Sequence, residues 1–187
     1  MKKLVLIAAM ALVSAAAFAQ KFAHVNFNEL IYLMPEAEQA NATMAAAQNE
    51  AREVYQSMMD EYQKKVTEYQ QKSSSWTQAI RESKEKEIND VQQRIMEFEQ
   101  SIQQELSAKQ NELMAPIVQK AQETVTKIAK QGGYIYVFDM GTALYIDETQ
   151  STNITREARR ALNISDDKTL EALAAQQQAQ AQAQAQQ

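Results

Sequence analysis

The sequence predicts a mainly α protein with a small β body: a long antiparallel helical hairpin carried on a small, oligomerising β-sheet domain. Three observations lead there. Only three Gly and two Pro occur in 187 residues, while the good helix formers Gln, Ala, Glu and Lys dominate. Two long stretches each carry one apolar stripe that repeats every 11 residues. Short β-rich segments lie at both ends of these stretches.

The chain opens with Lys2 and Lys3, an unbroken apolar run from Leu4 to Val13, and Ala17-Phe18-Ala19 before Gln20. These are the three parts of a secretory signal, and the run is too short for a permanent membrane span. Cleavage is expected after Ala19; an uncleaved amino-terminal anchor is the other reading. Without residues 1–19 the chain has 17 basic and 24 acidic residues, a formal charge of -7. That balance excludes a basic nucleic-acid footprint. There is no Cys, which excludes disulfides, thiolate metal sites and a lipid anchor on cysteine.

Lys21 to Asn28 alternates around Phe22, Val25 and Phe27 and predicts a strand. Pro35 sits where the first turn of a helix tolerates a missing N–H, and Glu36 to Lys72 has no Gly or Pro. Ser73-Ser74-Ser75 interrupts the pattern. Helix resumes near Thr77 and runs to about Lys130, where Gly132-Gly133 stops it. Tyr134 to Asp139, with Ile135 and Val137, predicts a second strand. Asp139 to Thr142 reads as a turn and Ala143 to Ile146, with Leu144 and Ile146, as a third strand closing a hairpin. A short helix is expected over Arg156–Leu162. Ser165-Asp166-Asp167 can start another, with acidic residues favoured at its start. Ala175 to Gln187 is Gln/Ala low complexity, a frayed helix or disordered tail.

In the first long helix Ala47, Met58 and Tyr69 are 11 apart, as are Ala51 and Tyr62, and Tyr55 and Val66. In the second, Ile80, Val91, Ile102 and Leu113 keep the same spacing, as do Ile95, Leu106, Ile117 and Ile128. An 11-residue period gives a nearly straight or slightly right-handed pair. One narrow stripe can bury itself against one partner, and the other helix across the serine turn is that partner. The hairpin returns its two ends to one place, so the strands meet there. Three short strands leave open edges, and assembly through those edges is the expected remedy. The predicted organisation is therefore a signal over 1–19, a body over 20–34 and 116–164, a hairpin over 35–115, and a carboxy-terminal helix and tail over 165–187.

No residue set suggests catalysis. His24 is the sole histidine and reads as a structural strand residue. Gly132-Gly133 lacks the Gly-Lys-Ser/Thr ending of a phosphate loop and follows a helix. The acidic residues interleave with Lys and Arg as solvated faces do. Pro116 lies inside a helical pattern, as a hinge or a static bend. Met44, Met58, Met59, Met96, Tyr55, Tyr62, Tyr69, Phe98 and Trp76 form a soft set suited to varied apolar contacts. Most lie on the stripe. Met59 and Met96 lie off it at similar heights and Trp76 sits at the turn, so these three are the expected contacts to a bound partner.

The residues also resemble the Skp/OmpH family. Lys21-Phe22-Ala23-His24-Val25-Asn26-Phe27 is similar to its first strand, and Gly133 to Asp139 to the strand after its helical arm. Ala143-Leu144-Tyr145-Ile146 and Ile154-Thr155 before a helix also match, over about Lys21 to Leu162. The resemblance implies a periplasmic homotrimer with a small β body and three helical arms. It implies binding of unfolded outer-membrane β-barrel proteins without ATP, cofactor or stable membrane insertion. Two features depart from the pattern. Glu36–Lys72 has 7 acidic and 4 basic residues and Thr77–Ala115 has 8 and 5, so the arms sum to -6 where the best-known members are basic. Ser165 to Gln187 extends past the family's usual end. A structural envelope adaptor with one fixed partner is the alternative function.

Overall fold

A computed structural model describes residues 20–185. The signal expected over residues 1–19 lies outside the described residues. The described chain forms two compact units, one built from residues up to Glu38 and from Pro116 onward, the other from Gln39–Ala115.

In the first unit, β1 (Lys21–Val25) is followed by α1 (Phe27–Leu33) and the start of α2 (Pro35–Lys72). The carboxy-terminal part of α3 (Gln78–Gly132), β2 (Tyr134–Asp139), β3 (Ser151–Asn153), α4 (Thr155–Ala161) and α5 (Leu170–Ala185) complete it. The sheet order is β2-β1-β3, and β1 pairs parallel with both neighbours. The central strand is accordingly the buried one: Ala23, His24 and Val25 are all inaccessible. The core continues through Leu30, Leu33 and Met34 to Ile117, Ala121 and Ile128 on α3, and to Ile154, Ala158, Leu162 and Ile164. Gly133, at φ +69°, takes the left-handed conformation that ends α3 and lets the chain turn into β2.

Three sequence expectations need correction. Phe27 belongs to a helix instead of a strand. Asn26 caps that helix, its side chain accepting from the Glu29 N–H at 3.1 Å, and alternation around Phe27 concealed the cap. Leu144 and Ile146 lie in no strand, and there is no β2 hairpin. Asp139 diverts the chain: its carbonyl accepts from the N–H groups of Thr142 and Ala143, both at 3.2 Å. Asp147 then turns it again, accepting from Ser151 N at 3.0 Å. Leu144 and Tyr145 are left facing solvent. The third strand is the polar Ser151–Asn153 on the far edge of β1. Finally, the last helix starts at Leu170 instead of Ser165, with Thr169 Oγ1 accepting from Ala172 N at 3.1 Å. It runs through Ala185, so most of the Gln/Ala segment is helical.

Arg159, only 8% exposed, ties the extension to the body. Its guanidinium donates to the Glu29 carboxylate, to the Ser165 carbonyl and, at 2.8 Å, to the Lys168 carbonyl. Lys168 Nζ reaches Glu38 at 2.8 Å. His24 Nδ1 shares a 2.9 Å hydrogen bond with Ser151 Oγ, the structural place expected for it.

Candidate functional site

The Gln39–Ala115 unit is the arm. Its two helices have no Gly or Pro to interrupt them, and the three serines form a single 3-10 turn between them. Arg81 secures that turn by donating to the Trp76 carbonyl at 2.9 Å and the Ser73 carbonyl at 3.4 Å. The Trp76 ring packs edge-on against Tyr69, with centroids 5.8 Å apart. Trp76 thus has a neighbour across the turn that the sequence did not reveal.

Polar pairs step down the arm and make the helices antiparallel. Tyr69 donates its hydroxyl to Glu85. Lys65 Nζ meets Glu87 at 2.8 Å, and Arg94 grips both oxygens of Glu61 at 3.2 Å. The Tyr55 hydroxyl lies beside the Glu99 carboxylate farther along. The hydrogen bond from Lys65, and then that from Lys84, hold the Glu87 carboxyl below the usual range. Bonding to Glu85 and Glu99 pushes the Tyr69 and Tyr55 hydroxyls up. Such exposed pairs add little stability, because water screens them, but they fix which residues face each other. Once the serine turn is placed, counting outward from it would have found these partners in the sequence.

Within this ladder Val91 and Ile95 are buried, so the seam closes there. Elsewhere the stripe is half-covered: Ile102, Leu106 and Leu113 on α3, and Ala47, Ala51, Tyr55 and Met58 on α2, all keep partial exposure. The Glu61–Arg94 pair sets Met59 and Met96 at one level of the arm. Met96 is 54% exposed and Met59 is half-buried. Trp76, half-buried, packs on Tyr69, 10 positions or about 15 Å along the helix from Met59, and is not brought together with them.

The other candidate surface is on the body. By register Phe22 and His24 share a sheet face with Tyr136 and Phe138. Phe22 stacks on Tyr136 at 6.3 Å, and Tyr136 meets Phe138 at 6.1 Å. Tyr136 is 60% and Phe138 48% exposed, and Ile135 of the same strand 49%. Parallel sheets are normally covered on both faces, and this one displays three aromatic rings together. Of the residues expected to assemble the protein, Phe22, Val25, Ile135 and Val137 are in strands. Val25 is buried in the protomer's own core.

The sequence profile of the OmpH-like family, described as outer membrane protein (OmpH-like), matches residues 21–162. The chain belongs to the OmpH-like family. This is a family of periplasmic chaperones, and the long helices with a small three-stranded sheet are its fold. The OmpH-like match ends at Leu162, so the segment clasped by Arg159 and helix α5 lie beyond it. No curated protein matches the chain. Among the described residues no helix is long and apolar enough to cross a membrane.

Proposed function

We propose that this OmpH-like chain is an ATP-independent holdase that keeps unfolded outer-membrane β-barrel proteins from aggregating in the periplasm. The observation that carries the reading is the arm's stripe, sealed at Val91 and Ile95 and half-open along the rest of its length. Half-covered Met, Tyr and Ile side chains give many weak, adaptable apolar contacts. The arms' charge of -6 keeps a loaded complex in solution and opposes electrostatic attraction of acidic clients. Met59, Met96 and Trp76 are the proposed contacts. The working form is a homotrimer, with the Phe22–Tyr136–Phe138 face as its seam.

The test is light scattering from several unrelated unfolded β-barrel proteins diluted from denaturant, with and without the protein, across a salt series. Suppression of all of them, unchanged or slightly stronger at high salt, is expected. Truncating Met59, Met96 and Trp76 together to Ala weakens holding more than salt does, since each buried side chain is worth on the order of 1.5–3 kcal/mol. An envelope adaptor with one fixed partner would suppress none of the clients. Steep loss with salt and no loss in the triple variant would return the binding to electrostatics.

A further inference from the structure

The stripe on α2 loses volume toward its amino end. Near the turn it carries Tyr62, Val66 and Tyr69; farther down it carries Ala47 and Ala51. The facing stripe on α3 does not grow to compensate. A cleft results inside the arm, floored by Met44, Tyr55, Phe98, Ile102 and Leu106. Its rim carries the amides of Gln48, Gln103 and Gln110, with Arg52 and Glu99 as one charge of each sign.

We infer that this intra-arm cleft binds a single extended, uncharged segment of an unfolded chain in which apolar and polar residues alternate. The inference rests on the holdase reading and assigns that activity a site within one arm. The cleft has the length of a short extended segment. Met44 to Tyr55 covers 11 positions, about 16 Å of helix and about five extended residues.

Chemistry favours the same occupant. Side-chain amides both donate and accept, so the glutamines can satisfy the free N–H and C=O groups of an unpaired backbone. The apolar floor takes every second side chain, because successive ones point to opposite sides. With one positive and one negative group on the rim, a strongly charged segment gains nothing.

The experiment uses the full-length secreted protein and a fluorescent peptide of alternating valine and threonine. Ala51→Phe fills the cleft from within. Its thermal midpoint and oligomeric mass should match wild type while peptide affinity falls about tenfold or more. Gln48→Ala with Gln103→Ala, at exposed positions that pose no folding risk, should cost about fivefold. Wild-type affinity in the Ala51→Phe protein, or no peptide binding by wild type, overturns the cleft as a site. A change of oligomeric mass in the Ala51→Phe protein would mean that a second copy fills it, and overturns it too. Failure of the wild-type protein to keep unfolded β-barrel proteins in solution would sink the holdase reading itself and is seen separately.

Discussion

One carboxylate oxygen of Asp139 serves two backbone donors. It accepts from Phe27 N at 3.2 Å, at the start of α1, and from Gly141 N at 3.1 Å, in the turn after β2. Asp139→Ala strands both, and a half-buried unpaired donor costs about 1–2 kcal/mol. Thermal unfolding should show that loss, whereas Asp139→Asn, which keeps an acceptor, should recover most of it. A variant Ala as stable as wild type would show that solvent serves these donors equally well. Asp139 was legible in the sequence as a turn residue, but its bond to α1 was not, because the partner lies 112 positions away. His24 was legible because a lone histidine on a β-rich strand has few other roles. Phe27 was misread because Asn26 ends one period and begins another within a single residue. The asparagine with Glu29 three places on was the available signal.

Among elements, the long helices were the most legible, since an 11-residue period sustained over four repeats has one simple structural meaning. The strands were less so. Ser151–Asn153 is too polar and short to stand out, and Ala143–Ile146 has strand composition without a strand partner. The arm cleft was hidden for another reason. Ala47 and Ala51 satisfy the repeat while lacking the bulk to fill it, so periodicity alone cannot register the missing volume. Pro116 lies within a helix that continues unbroken to Gly132. It removes the hydrogen bond to the Glu112 carbonyl, and proline inside a helix costs about 3 kcal/mol. Pro116→Ala should therefore raise the thermal midpoint, by an equivalent of about 1–3 kcal/mol, with client holding unchanged. A fall in holding alongside that gain would identify Pro116 as a working hinge.

For the whole molecule, the sheet poses a problem one chain leaves unsolved. Its outer strand β2 presents Ile135, Tyr136 and Phe138 to solvent, an apolar display that marks an interaction surface. Tyr136→Glu with Phe138→Glu places two charges there and leaves the buried Ala23, His24 and Val25 of β1 unaltered. Multi-angle light scattering should give a trimer for wild type and a monomer for the double variant, with far-UV dichroism retained. A wild-type protein that is monomeric at micromolar concentration would sink the trimer. The sequence offered the strand edges as the expected contact; the aromatic face came into view only once both neighbours were seen to run parallel to β1. That same topology governs the order of folding. The strand that must sit in the middle of the sheet comes first in the chain, and its contacts reach far along it, 127 positions in the case of His24 and Ser151. Non-local pairing is slow because loop closure precedes its reward. The arm, whose partners such as Tyr69 and Glu85 are 16 apart, closes locally and early. A chain delivered amino end first therefore completes its arm while Lys21–Val25 is still unpaired. It becomes a finished protomer only when nearly all of it has arrived. Until then this OmpH-like chain carries an exposed apolar strand of its own and has the same need for protection as the clients proposed for it.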